Sequence, residues 1–157
     1  GMAPLASFVY GAKEKLLARN LFTRTVLLVL AAGCATVAFV GFGSGWYSRI
    51  FVSDTAVQQM IKSGILIFMW DFVLCGFNAI ASFYFTSIGK AKESAVISSA
   101  RGLVILLAAI FVLPALFGMN GVWLTSPATE ILTLAITLFY LKKDRTEIGS
   151  AKPAEKM

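Results

Sequence analysis

Four long apolar stretches run along this chain, separated by short polar segments. They cover about residues 25–47, 64–87, 95–117 and 122–141. A helix needs about 20 apolar residues to cross a hydrocarbon core of roughly 30 Å, and each stretch is long enough. Lipid offers no partner to an open strand edge, so helices are the expected form. The pattern predicts an all-α integral membrane protein with four transmembrane helices. Residues 1–24 precede the first span. Residues 48–63, with Asp54, Gln58 and Gln59, read as an outer loop. Residues 89–93 read as a tight inner turn and 119–121 as a tight outer one. Residues 142–157 form a polar tail, read as disordered from Glu147 onward. Leu16, Leu17 and Leu21, set among basic residues, predict a short amphipathic helix on the inner leaflet.

Composition supports the membrane reading. Of 157 residues, 58% are hydrophobic and 14% charged, and the mean hydropathy is +0.80. Soluble domains carry roughly 45–50% apolar and about 25% charged residues. Basic residues outnumber acidic ones, 14 to 8, but they flank spans, where they face anionic headgroups rather than nucleic acid. Lys13, Lys15, Arg19, Arg24, Lys90, Lys92, Arg101, Lys142, Lys143, Arg145, Lys152 and Lys156 fall on one side; Arg49 and Lys62 fall on the other. The positive-inside rule then places both termini in the cytoplasm, across a plasma membrane of the bacterial inner-membrane kind. Trp46, Tyr47 and Trp123 lie at outer span ends, as interfacial aromatics do. Cys34 and Cys75 lie within apolar stretches and read as packing residues. With no His and no nucleophile motif, the chain carries no conventional catalytic set, metal site or cofactor.

Chemistry is concentrated in the polar residues inside the spans. Asp71 lies about 10–12 Å deep at 1.5 Å per residue. Cys75, Asn78, Ser82 and Thr86 follow on the same helical face. An intramembrane acid usually serves ions or protons; the alternative is a stripe that only hydrogen-bonds neighbouring helices. Glu130 lies at similar depth in the fourth span, with Ser126, Thr133 and Thr137 on its face. It either lines a cavity or pairs with a basic residue of another helix. Pro127 deprives the Trp123 carbonyl of its helical donor, and Pro114 predicts a second kink. Arg101 is near enough to the inner surface to snorkel as an anchor; the other reading is substrate contact.

The order of several short motifs resembles the MATE family, the multidrug and toxic compound extrusion transporters. Gly1-Met2-Ala3-Pro4 with Ser7, Tyr10, Gly11, Ala12 and Lys13 is similar to the end of that family's eighth span. Gly76-Phe77-Asn78, Tyr84-Phe85 and Ile88-Gly89-Lys90 are similar to the tenth, Ser98–Gly102 to the start of the eleventh, and Gly118–Glu130 to the entry into the twelfth. The resemblance implies spans nine to twelve of twelve, part of a six-helix lobe, with the amino-terminal helices as missing partners. It implies efflux of drugs or organic cations by Na+ or H+ antiport, so a transporter rather than an enzyme. Asp71 departs from the mostly apolar pattern of the family at that point. Competing readings are a lipid-linked saccharide flippase of the same superfamily, which needs a strongly basic cavity, and a non-transporting four-helix interaction protein. A small dimerising exporter would place its acid in the first span, which has none.

Overall fold

The structure, a computed structural model, describes residues 2–51 and 53–150, and its regular elements are helical. They are α1 (Met2–Gly11), α2 (Lys15–Phe51), α3 (Thr55–Phe68), α4 (Asp71–Ser87) and α5 (Ala91–Ser99), then a π-helical turn (Ala100–Val104) and α6 (Ile105–Ser150). Three segments are long and apolar enough to cross a membrane: Lys15–Tyr47, Thr55–Ser87 and Ala91–Ile148. The third, of 58 residues, turns back on itself. Gly118, with φ 56° and ψ −133°, is the non-helical residue inside α6. That left-handed φ suits glycine. Arg101 Nε lies 2.9 Å from Glu130 Oε1, whereas a straight helix would separate those residues by roughly 43 Å. The two legs of α6 are therefore antiparallel. Gly121 fills the crook, where a Cβ would stand 2.0 Å from the Leu113 carbonyl oxygen.

Several boundaries differ from those expected. No separate amphipathic helix forms at Leu16, Leu17 and Leu21. No Gly or Pro lies between Lys15 and Ala32 to stop α2, so these residues are its opening turns. Much of the expected outer loop is α3. Asp54 caps it, with Oδ1 accepting from the backbone N–H of Ala56 at 2.8 Å and Val57 at 3.3 Å. Met69 and Trp70 form a tightened turn between α3 and α4, where Phe72 N donates to Met69 O at 3.3 Å. Asp71 thus begins a helix instead of lying in mid-run.

The inner turn is a Schellman closure. Gly89 N donates to Thr86 O at 3.2 Å and Lys90 N to Phe85 O at 2.9 Å, with Gly89 at φ 80°. At the outer turn the reversal falls on Gly118, and residues 119–121 are already helical. Pro114 and Pro127 both lie within helical backbone. The tail is helical through Ser150, so residues 147–150 are ordered helix. Residues 151–157, with Lys152 and Lys156, lie outside the described residues, as does Gly1 of the first motif.

α4 is the central element and packs against α1, α2, α5 and α6. At one end its Ala81, Tyr84 and Phe85 join Phe22, Ile88 and Ile97 in an apolar core, with the Phe22 and Tyr84 rings 4.6 Å apart. Elsewhere the interior is polar and the exterior apolar. Asn78, Thr129, Glu130, Thr133 and Thr137 are buried, while Phe39, Phe42, Phe111 and Phe139 are exposed. Water would favour the opposite arrangement; a bilayer favours this one. The chain is a multi-pass membrane protein. Trp46 is exposed as an interfacial ring should be. Trp123 instead packs inward over Gly64, where an added Cβ would stand 2.3 Å from its Cε2.

Candidate functional site

The polar stripe of α4 faces two different partners along its length. At one end it faces the second leg of α6. Ser126 Oγ donates to Asp71 Oδ1 at 2.9 Å. Asn78 Nδ2 donates to both the backbone oxygen of Glu130, at 3.0 Å, and its Oε2, at 2.8 Å. Ser126 and Glu130 are four residues apart, so Asp71 and Glu130 bind the same seam about one helical turn apart. Towards α5 the stripe meets hydroxyls: Ser82 Oγ lies 2.9 Å from Ser94 Oγ and 2.8 Å from Ser98 Oγ, and Thr86 Oγ1 lies 2.7 Å from Ser94 Oγ.

The π-helical turn carries Arg101 between these two regions. An extra residue in the turn, closed by Ile105 N donating to Ala100 O, is a common device at functional sites. Arg101 Nε reaches Glu130 Oε1 at 2.9 Å, and its Nη2 lies 3.5 Å from Cys75 Sγ. Both Glu130 oxygens are therefore engaged, one by a guanidinium and one by an amide. Glu130 is 4% exposed and Asn78 is 0% exposed. A carboxylate can be held in such a place only because charge and hydrogen bonds both compensate its lost hydration. Asn78 Oδ1 has no hydrogen-bond partner among the described residues. An open cleft of about 310 Å³ lies alongside, lined by Asn78, Ser82, Ser98 and Arg101 among others.

Down the second leg of α6, Thr125, Thr129 and Thr133 turn their hydroxyls back to the carbonyls four residues earlier, at 3.0, 2.7 and 2.8 Å. These buried residues make the seam polar without using hydroxyls across it. Beyond the apolar core, a second cluster closes the other end. Lys90 Nζ lies 2.9 Å from Asp144 Oδ1 and also pairs with Glu147. Tyr84 Oη donates to Asp144 Oδ2 at 3.1 Å. Burial works to lower the Lys90 pKa, but hydrogen bonds to Glu147 and Asp144 and their charge outweigh it, so the ammonium is pushed up to about 12. The same hydrogen bond, and then the charge behind it, hold Glu147 below the usual carboxylate range.

Of the residues singled out from sequence, Asn78, Arg101 and Glu130 converge on one cluster, with Asp71 beside it. Pro127 lies in the leg that carries Glu130, and Pro114 lies away from the cluster, in the first leg. Sequence reasoning gave Ser94 no place, named Ser98, Tyr84 and Lys90 only within family-like motifs or as a flanking charge, and did not foresee the clasp of Tyr84 and Lys90 on Asp144. The spacing of Ser94, Ser98 and Arg101, at i, i+4 and i+7, was a signal that they share a face.

The family model for MatE matches residues 1–112. The chain belongs to the MATE family. A curated relative is the multidrug export protein MepA of Staphylococcus saprophyticus subsp. saprophyticus, 24% identical over 157 residues. That match takes in 99% of this chain and 34% of the relative, so the MATE chain described here spans about a third of the relative's length. No solved structure matches it. The family match takes in α4 and Arg101, whereas Glu130 lies beyond its limit.

Proposed function

We propose that this chain forms the carboxy-terminal part of a MATE-type pump that exports drugs or organic cations across the plasma membrane by Na+ or H+ antiport. Four crossings, with the third and fourth hinged at Gly118, leave both ends cytoplasmic. The remaining helices of the pump supply the other walls of the pathway. The family match over residues 1–112 carries this reading, and the length of the MepA relative supports the need for further helices. The polar seam adds a means. A cationic substrate entering beside Glu130 competes with Arg101 for its carboxylate, and Asp71 offers a second negative group on the same seam. Flipping of an anionic lipid-linked sugar is disfavoured, because the basic residue of the seam is already matched by Glu130.

The test is efflux of a fluorescent organic cation from cells that lack their own pumps and express the intact transporter. Asp71→Asn and Glu130→Gln should each slow efflux at unchanged protein levels. Wild-type efflux by both variants would show that the seam does not serve transport. The 157-residue chain by itself should move no cation.

A further inference from the structure

Arg101 stands between two places. On one side its Nε lies 2.9 Å from Glu130 Oε1. Asn78 Nδ2 already takes Oε2 at 2.8 Å, so the guanidinium does not close the two-point grip that makes an arginine–carboxylate pair strongest. Its other polar contact among the described residues is Nη2 to Cys75 Sγ at 3.5 Å, and a thiol sulfur is a weak acceptor. A guanidinium offers five N–H donors, so the pair uses little of what Arg101 can give. On the other side Arg101 lines the open cleft with Ser82, Ser98 and Gly102, and its side chain is 32% exposed.

We propose that Arg101 is a tethered cation that fills the substrate's place at Glu130 while the pump is empty, and that an arriving organic cation displaces its guanidinium into this cleft. This rests on the efflux reading above and adds the residue that empties and refills the acid, together with the seat it moves to. Three features fit the cleft to that guest. Ser98, three residues before Arg101 and exposed, lines the same cleft, so the guanidinium reaches it by rotation of its own side chain. Ser98 Oγ lies 2.8 Å from Ser82 Oγ, and beyond that bond it keeps a lone pair for an N–H. Gly102 puts no side chain in the way: a Cβ there would meet no atom within 4 Å. The cleft, about 310 Å³, takes a planar guanidinium with space to spare, since a water fills about 30 Å³.

The exchange leaves the acid in position. Asn78 Nδ2 holds Glu130 Oε2 at 2.8 Å and its backbone oxygen at 3.0 Å whether or not Arg101 is there. With both cations present the site carries one positive charge more than at rest. Asp71, about one helical turn along the same seam, is the acid that offsets it. The arrangement also keeps Glu130, 4% exposed, from standing unpaired between cargoes, a state that burial makes costly. When the guanidinium returns, it helps expel the bound cation. A tethered competitor raises the apparent dissociation constant by the inverse of the fraction of time the acid is open. Removing it should therefore tighten binding and slow release. A side chain that only supports the fold would give weaker binding when removed.

The experiment uses the intact transporter, with radiolabelled tetraphenylphosphonium as the cation. Equilibrium binding is measured in detergent, and export in cells that lack their own pumps. Arg101→Met should bind the cation roughly tenfold tighter, yet export it more slowly at saturating concentration. Arg101→Lys keeps a tethered charge and should bind close to the wild type. Gly102→Leu fills the cleft while leaving the Arg101–Glu130 pair in place, and should weaken binding roughly tenfold. Because it stands outside the pair, this variant decides the question if Arg101→Met does not fold. A folded Arg101→Met protein that binds no tighter than the wild type overturns the proposal, and so does wild-type binding by Gly102→Leu. Either result beside normal wild-type export leaves the efflux reading standing. A wild-type transporter that neither binds nor exports the cation overturns both.

Discussion

Replacing Arg101 by Met strips Glu130 of its cation while keeping most of the side chain's length. Glu130 is 4% exposed, so its carboxylate cannot recover hydration where it stands. Removing one partner of a fully buried ion pair costs about 3–5 kcal/mol. Here the Arg101 side chain is 32% exposed, so part of that interaction is screened. The two Asn78 hydrogen bonds, at 2.8 and 3.0 Å, also remain to hold the carboxylate. A loss of about 2–3 kcal/mol is the expected result, after discounting for that exposure and those bonds. Thermal unfolding of the purified protein in detergent, followed by tryptophan fluorescence, should register a midpoint lower by about 5–10 °C. The double variant Arg101→Met/Glu130→Leu removes both charges and should unfold above Arg101→Met, giving a coupling of about 2 kcal/mol in a double-mutant cycle. If Arg101→Met unfolds with the wild type, or if the two losses simply add, the pair does not hold the seam together.

Two further outcomes follow from other parts of the fold. Gly121→Ala places a Cβ 2.0 Å from a backbone oxygen that cannot swing aside; the α6 hairpin should splay, seen as a loss of monodisperse protein on size exclusion. Burial works to lower the Lys90 pKa, but its bonds to Glu147 and Asp144 outweigh that and push it up to about 12 from its ordinary 10.5. A raised cation stabilises fully below the ordinary value and is lost as pH rises through the folded one. Stability should therefore fall between pH 10.5 and about 12, and the drop should be smaller in Lys90→Met, measured as the difference between the two proteins across a pH series.

The sequence by itself determined the class of fold. Uninterrupted apolar runs, and charges gathered at their ends, leave helices in lipid as the workable solution. Periodicity also placed Asp71, Cys75, Asn78, Ser82 and Thr86 on one face of α4, and the ordered short motifs pointed to the family. Local signals were present but outweighed by the hydropathy pattern: Asp54 ahead of α3 is a capping residue, and Gly118 is the residue that can take the reversal. Tertiary structure alone decided what the polar face meets. Periodicity fixes which side chains share a stripe, but not how far a helix is rotated about its axis or which neighbour it faces; close packing sets both. That packing splits the α4 stripe between the Glu130 leg of α6 and the serines of α5. The π-helical turn then sets Arg101 at the junction, where it closes on Glu130 at 2.9 Å. A charge that periodicity alone left free to reach for the surface is held inside, because burying Glu130 without it would cost more than ordering the long side chain that neutralises it.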